Sequence, residues 1–205
     1  MRTILLTLCL FMGTILSAQN NVLIEIEKAN AAYKVITGDF VRTQINVAKG
    51  TSKKVDGMLY IVGEDQMAQH YKAPSTDLLI INGNDFYMIR GKKTNKFNTE
   101  KNKTMRSLRN TLLYCVHGKP MVLAAEKETE ITAEKKADGY EVILTSTKKT
   151  SRDYARIVLT YDLKSKLLTK MQMDEYNGNS TLYEMKNLKT NGNVDAKVFD
   201  IPEKK

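Results

Sequence analysis

The chain has 205 residues, 42% of them apolar and 27% charged, with 32 Lys and Arg against 23 Asp and Glu for a formal net charge of +9. Three prolines, two cysteines and no tryptophan exclude a collagenous, low-complexity or disulfide-stapled chain, and charges spread over most of the length exclude a polytopic membrane protein. What remains is one globular domain of a size that commonly folds alone.

The N-terminus reads separately. Met1-Arg2 is followed by an uncharged apolar run from Thr3 to Leu16 and then by Ser17-Ala18-Gln19. A positive end, an apolar middle and a small-residue exit make a secretory signal peptide, and the run is shorter than the roughly 20 residues a membrane span needs. The expected leader is residues 1–18, and the expected mature domain is residues 19–205. Cys9 lies inside the apolar run, badly placed for lipid attachment. The mature chain then keeps Cys115 alone, which allows no intramolecular disulfide and reads as a small buried hydrophobe.

From Asn21 to Ile36, Val22, Ile26, Ala29, Tyr33 and Ile36 recur at helical spacing, with Thr37-Gly38-Asp39 as the stop. The period then changes to two, and strands are predicted at Phe40–Val47, Gly57–Val62, Met67–Ala73, Asp77–Ile81, Asp85–Arg90 and Lys92–Phe97. Asn82-Gly83-Asn84 supplies a hairpin turn. Between Lys101 and Gly118 the pattern turns helical again, with Met105, Leu108, Leu112 and Cys115/Val116 on one stripe, and Pro120 opens a short helical segment through Ala125. Strands resume at Glu130–Glu134, Tyr140–Thr147, Tyr154–Tyr161, Leu167–Met173 and Thr181–Thr190.

Ten or eleven short strands in succession imply an antiparallel sheet that curls toward a barrel, with one wet and one dry face. In Tyr154–Tyr161 the dry face carries Ile157 and Leu159. In Leu167–Met173 it carries Leu167, Thr169, Met171 and Met173, opposite Leu168, Lys170 and Gln172. The two amphipathic helical segments can fill the concave face for good, or cover a ligand cavity as a movable lid. Periodicity leaves both open.

Motifs for catalysis are absent: no G-x-S-x-G, no glycine-rich phosphate loop, no H-E-x-x-H and no ligand-spaced cysteines. His70 reads as a solvent-facing strand residue. Cys115 and His117 stand two apart on a helix and so do not face each other. No cofactor, metal or enzymatic activity is expected. Eight mature methionines, Met58, Met67, Met88, Met105, Met121, Met171, Met173 and Met185, suit either ordinary core or a surface that adapts to variable apolar partners. From Arg90 to Arg109 eight basic residues stand against Glu100 alone, a local +7 within a mature net of +8. In an exported protein with little nearby aromatic stacking, this points away from nucleic acid and toward a solvated rim, anionic headgroups or an acidic protein face.

Taken together, Met67-Ala68-Gln69-His70-Tyr71-Lys72-Ala73-Pro74, Leu78-Leu79-Ile80-Ile81-Asn82-Gly83-Asn84-Asp85-Phe86-Tyr87, the strand Gly57-Met58-Leu59-Tyr60, the stretch Phe40 to Gln44 and the C-terminal Asn191 to Pro202 resemble the periplasmic outer-membrane lipoprotein carriers of the LolA-like family. The resemblance runs over nearly all of the mature chain. It implies a half-open antiparallel β-barrel, mainly β with helices, covered by an N-terminal helix and a central helical lid.

It further implies a monomeric periplasmic chaperone that takes acylated lipoproteins from an inner-membrane ABC transporter complex and passes them to an outer-membrane acceptor. The alternatives are a carrier of free lipid or glycolipid, and an envelope-sensing scaffold of the same fold. On this reading the cavity is lined by Leu59, Met67, Tyr71, Leu79, Ile81, Tyr87, Ile157, Leu159, Met171 and Met173, and the lid presents Met105, Leu108 and Leu112. Arg90, Lys92, Lys93, Lys96, Arg106 and Arg109 are the expected docking residues. Two departures stand out: Gly63-Glu64-Asp65-Gln66 lacks the Arg-Pro that helps lock the family's lid, and Tyr71 and Tyr87 occupy positions where the family often places Trp.

Overall fold

The computed structural model describes residues 20–148 and 154–202; the expected leader lies outside them. A helix, α1 (residues 20–30), precedes six strands: β1 (Val35–Asn46), β2 (Thr51–Val62), β3 (Gln66–Tyr71), β4 (Leu78–Asn82), β5 (Asp85–Arg90) and β6 (Lys93–Asn98). Two helices follow, α2 (Lys103–Val116) and α3 (Pro120–Lys127). Five strands complete the sheet: β7 (Thr129–Lys135), β8 (Tyr140–Ser146), β9 (Tyr154–Tyr161), β10 (Leu168–Glu175) and β11 (Ser180–Thr190).

All pairings are antiparallel, in the order β6-β5-β4-β3-β2-β1-β11-β10-β9-β8-β7. The sheet is open, and its edges are β6 and β7. Those edge strands are consecutive in sequence apart from α2 and α3, so the helical insertion is the connection that links the two free edges. Both edges carry charge, with Lys93 and Lys96 on β6 and Glu130, Glu134 and Lys135 on β7, which discourages pairing with another chain.

One face of the sheet and the helices form the main apolar core. In it Leu112, Leu113, Cys115 and Val116 from α2, Leu123 from α3, and Leu23 and Ile26 from α1 meet the strands. Asn102 caps α2 by accepting from the Met105 N–H at 3.0 Å, and Pro120 opens α3 where its missing N–H costs nothing. Of the stripe predicted for α2, Leu112, Cys115 and Val116 are buried and Leu108 and Met105 half-buried, while Leu113, outside the stripe, is buried as well. A smaller cluster on the opposite face, Ala68, Ile80 and Ile89, is covered by Phe199 and Ile201 from the C-terminal segment. That segment holds a 3₁₀ turn (Ala196–Phe199), and its Val198 carbonyl lies 2.7 Å from His70 Nε2. His70, expected to face solvent, is instead half-covered by this turn.

The remaining differences have local causes. The helix expected over 21–36 ends at residue 30, because the β-branched run Val35-Ile36-Thr37 pairs with β2 and continues the sheet. Gly38 is therefore no helix stop. It sits at the register shift between Thr37 and Asp39, where a Cβ would lie 2.7 Å from Leu188 Cδ2 and 2.8 Å from the Lys186 carbonyl. A second register shift, between Leu168 and Lys170, turns Leu168 inward beside Leu167, so the expected opposition of these two leucines does not hold.

Gly57 has a comparable constraint. A Cβ there would stand 2.2 Å from the His70 carbonyl and 2.8 Å from the Phe40 ring, which packs edge-on to Tyr71 at 5.2 Å and 87°. Gly57→Ala is expected to destabilise the fold by about 1–3 kcal/mol. A urea midpoint equal to that of the unsubstituted protein would contradict this close approach.

Candidate functional site

The inward residues form rows that cross strand after strand. Ile61, Met67, Ile81, Phe86 and Phe97 pair successively from β2 to β6, and Met171, Leu159, Val142 and Ala133 from β10 to β7. Of the ten residues expected to line a cavity, Leu59, Met67, Leu79, Ile81, Ile157, Leu159, Met171 and Met173 are buried in this one cluster, and Tyr71 packs against it half-buried. Tyr87 does not join them. It pairs with Ile80 on the outer face and packs in the smaller cluster, while its neighbours Phe86 and Met88 face inward. The alternation places one of any two adjacent residues inside, and on β5 it places Phe86 there.

On the helical side, Leu112 is buried in the core and Leu108 packs against it, while Met105 is half-buried near the start of α2. A void at this interface, beside Ile36, Leu59 and Val116, measures only 10 Å³, and a second of 30 Å³, beside Arg42, Tyr71 and Met88, lies among strand residues away from the helices. The helices thus sit closed upon the sheet.

Polar contacts at the rim hold them there, and they differ in strength. The segment around α1 is fixed to the β9–β10 turn from within the core: buried Asn30 donates to the Lys166 carbonyl at 2.7 Å, and Tyr33 donates to the Ser165 carbonyl at 2.9 Å. Lys166 itself, only 9% exposed, pairs with Glu25 at 2.9 Å and donates to the Tyr140 hydroxyl at 3.1 Å. Behind α2, the Tyr161 hydroxyl donates to the Cys115 carbonyl at 2.9 Å. The other tethers of the insertion lie further out. Arg109 Nε donates to the Gly83 carbonyl in the β4–β5 turn at 2.7 Å, and Lys119 Nζ pairs with Glu64 in the β2–β3 turn at 3.0 Å.

A cavity of about 560 Å³ opens between α2, α3 and the ends of β7 to β9. Its polar walls include Lys103, Arg106, Asn110, Glu126 and Glu128. The basic stretch is consequently divided among several places. Arg90, Lys92 and Lys93 are exposed at the β5–β6 turn, and Arg106 lines the polar cavity. Lys96 pairs with Asp85 at 2.7 Å over the ring of Tyr87, so its charge is already matched. Arg109, expected at a docking surface, is half-buried and used inside the molecule.

No group of three His, Cys, Asp or Glu among the described residues could hold a metal, and no described helix is long and apolar enough to cross a membrane. Burial pushes the Cys115 thiol up to about 12, which keeps it protonated. Burial also lowers the pKa of His117, helped by Lys119 and opposed by Glu64. The residues that sequence reasoning passed over are Asn30, Arg42, Gln69 and the pair Lys119–Glu64. Of these Arg42 and Gln69 carried a local signal, since Arg42 shares the parity of buried Phe40 along β1 and Gln69 that of Met67 and Tyr71 along β3.

The family model for the outer membrane lipoprotein carrier protein LolA matches residues 31–202. The chain belongs to the LolA family. Comparison with curated proteins finds no match. Among solved structures, an uncharacterised conserved protein of Thermus thermophilus aligns at TM-score 0.54 with 9% identity, covering 90% of this chain and 94% of that one. A DUF1329 family protein of Desulfovibrio piger aligns at 0.50 with 13% identity, covering 88% and 95%. A LolA superfamily protein of Nitrosomonas europaea aligns at 0.45 with 8% identity, covering 90% and 98%. The first two confirm the fold.

Within this LolA-family fold the turn that lacks the Arg-Pro is still joined to the helical insertion. The join has reversed polarity, with a carboxylate on the turn and the cation at the α2–α3 junction. Glu64 is largely exposed, and such pairs contribute about 0–1 kcal/mol. Arg109→Ala combined with Glu64→Gln is therefore expected to speed amide exchange over α2 and α3 more than over β9 and β10. Uniform exchange across these elements would show that the tethers do not govern the insertion.

His117 has its own consequence. A folded pKa below the unfolded value gives stability that is full above about pH 6.5 and declines as pH falls through that value toward the folded pKa. The urea midpoint is expected to drop between pH 7.5 and 5.5, and His117→Gln should flatten this limb. An unchanged slope in the variant would place the loss elsewhere.

Proposed function

We propose that this protein is a periplasmic chaperone that shields the acyl chains of lipoproteins against its concave face and carries them from the inner to the outer membrane. The observation that carries this reading is the form of the interior: a continuous apolar sheet face covered by a helical insertion whose Lys119–Glu64 tether to the sheet is exposed and weak. Each buried CH₂ is worth about 0.8 kcal/mol, so one long acyl chain meets a barrier of order 10 kcal/mol on entering water. Carriage requires an apolar surface that is hidden when empty and available when loaded. Displacing α2 and α3 exposes Leu59, Met67, Leu79, Ile81, Ile157, Leu159, Met171 and Met173 together.

The methionines support the same reading. Met67, Met171, Met173 and Met185 are in the main core, and Met88 and Met121 pack against it. Their unbranched side chains can reshape around a guest where branched ones would hold a single packing. Exposed Arg90, Lys92 and Lys93 at the β5–β6 turn, with Arg106 near the start of α2, provide the basic surface for an inner-membrane ABC transporter complex and an outer-membrane acceptor. The protein acts as a monomer in this scheme, exported and non-enzymatic. Carriage of free lipid or glycolipid uses the same interior.

The deciding experiment places a photo-crosslinking side chain at Tyr71, irradiates intact cells and identifies the adduct by mass spectrometry. An acylated lipoprotein is the expected product. Free lipid alone would transfer the function to lipid carriage, and the absence of any acylated adduct would refute a carrier.

A further inference from the structure

The row Tyr183, Met171, Leu159, Val142, Ala133 runs from β11 to β7 through the apolar interior, and its next member on β1 is Arg42. Arg42 follows buried Phe40 on the inward face and is itself half-buried. Its Nε is buried without a hydrogen-bond partner, and it forms no ion pair with a described residue. The guanidinium lies 4.8 Å from the centre of the Tyr71 ring, and Tyr183 is the cross-strand neighbour of Arg42 on β11. The Tyr71 hydroxyl donates to Gln69 at 3.3 Å. Beside this group is the 30 Å³ void, whose walls add Arg90 and one carboxylate, Asp77.

A half-buried guanidinium held in no ion pair gives up part of its hydration without a counter-charge in contact with it. The planar guanidinium matches the geometry of a carboxylate or phosphate. We infer that Arg42, framed by Tyr71, Tyr183 and Gln69, is the binding site for an anionic group on the cargo, so that the preferred ligands are acyl chains ending in, or joined close to, a carboxylate or phosphate. This rests on the proposal that the interior takes acyl chains, and it specifies what accompanies them. The acyl chain lies along the methionine-bearing rows, and its anionic end replaces the missing partner of Arg42. Tyr71, whose hydroxyl burial keeps protonated, offers a stacking face and no competing charge.

The test compares binding of palmitate, hexadecanol and palmitoyl lysophosphatidylglycerol to the whole mature protein by titration calorimetry below their aggregation concentrations. A charge-assisted hydrogen bond is worth enough that palmitate is expected to bind at least about tenfold more tightly than hexadecanol. Arg42→Met should remove that difference by weakening palmitate alone, and Arg42→Lys should keep part of it. Arg42→Gln serves in place of the Met variant if that variant does not fold. A preference for lysophosphatidylglycerol at least as large as that for palmitate assigns the anion to a phosphodiester head, and a preference confined to palmitate assigns it to a carboxylate. Equal affinity of the unsubstituted protein for palmitate and hexadecanol, or a preference that survives in the Met or Gln variant, overturns the role of Arg42 while leaving the carrier reading in place. Binding of none of the three overturns both.

Discussion

An antiparallel sheet of eleven strands with β6 and β7 at its edges leaves one apolar face without a second sheet to cover it. Only the chain between those edges and the helix before β1 are available to do so, and the rest of the structure follows from that constraint. Leu112, Leu113, Val116 and Leu123 complete the core, and each contributes roughly 1.5–3 kcal/mol as an upper estimate. Against a net stability of about 5–15 kcal/mol for a typical domain, this is too much to expose to water and too much to lose without replacement. The insertion can leave the sheet only when something equally apolar takes its place. On the carrier function proposed above, an acyl chain meets that requirement, and loading would be an exchange of one apolar cover for another, close to neutral in free energy.

The polar contacts decide which part of the cover moves. Around α1, Asn30 is bound to the Lys166 carbonyl through a buried bond, and the part-buried Tyr33–Ser165 bond and the Lys166–Glu25 pair add to it. Around α2 and α3 the ties differ: water can take over from Glu64 at little cost, whereas Arg109 makes a part-buried charge-assisted bond to the Gly83 carbonyl and Tyr161 holds the Cys115 carbonyl from within the core. The Asn110 side chain donates to the Glu126 carboxylate at 2.8 Å and so couples α2 to α3, which lets the two helices move as one body. The α2–α3 pair is thus held to the sheet by one buried bond at Cys115 and by ties at Arg109 and Lys119, of which the last is the most exposed.

Much of this was legible in the sequence because alternation and helical spacing are themselves consequences of burial. The inward positions on β2, β3, β4 and β9, and the stripe on α2, could be read without knowing their partners. Where the reading failed, a non-local contact had overruled the local pattern. Tyr87 resembles an inward aromatic until the pairing of β5 with β4 gives that place to Phe86. The helix expected through Ile36 ends early because β1 finds partners on both sides. Leu168 turns inward at a register shift that no alternation announces. Lys119 and Glu64 are 55 residues apart, and only the folded chain places the α2–α3 junction over the β2–β3 turn.

The placement of Arg42 gives the interior a direction. Val35 begins β1 opposite Val62, next to the turn that carries Glu64, and Arg42 lies seven residues further along the strand. At about 3.3 Å per residue it stands about 23 Å from the rim where the insertion is tethered. Methionines provide an apolar surface that accepts many shapes and therefore discriminates poorly among them. On the proposal made for Arg42, a cation in no ion pair near the far end of that surface would discriminate by charge and fix which end of a guest lies where. On that proposal, an anionic head at Arg42 would direct its chain back along the sheet toward the exposed Glu64–Lys119 tie. The guest would then press on the part of the cover best able to yield, and the tight end of the molecule, around α1 and the β9–β10 turn, would keep its packing throughout.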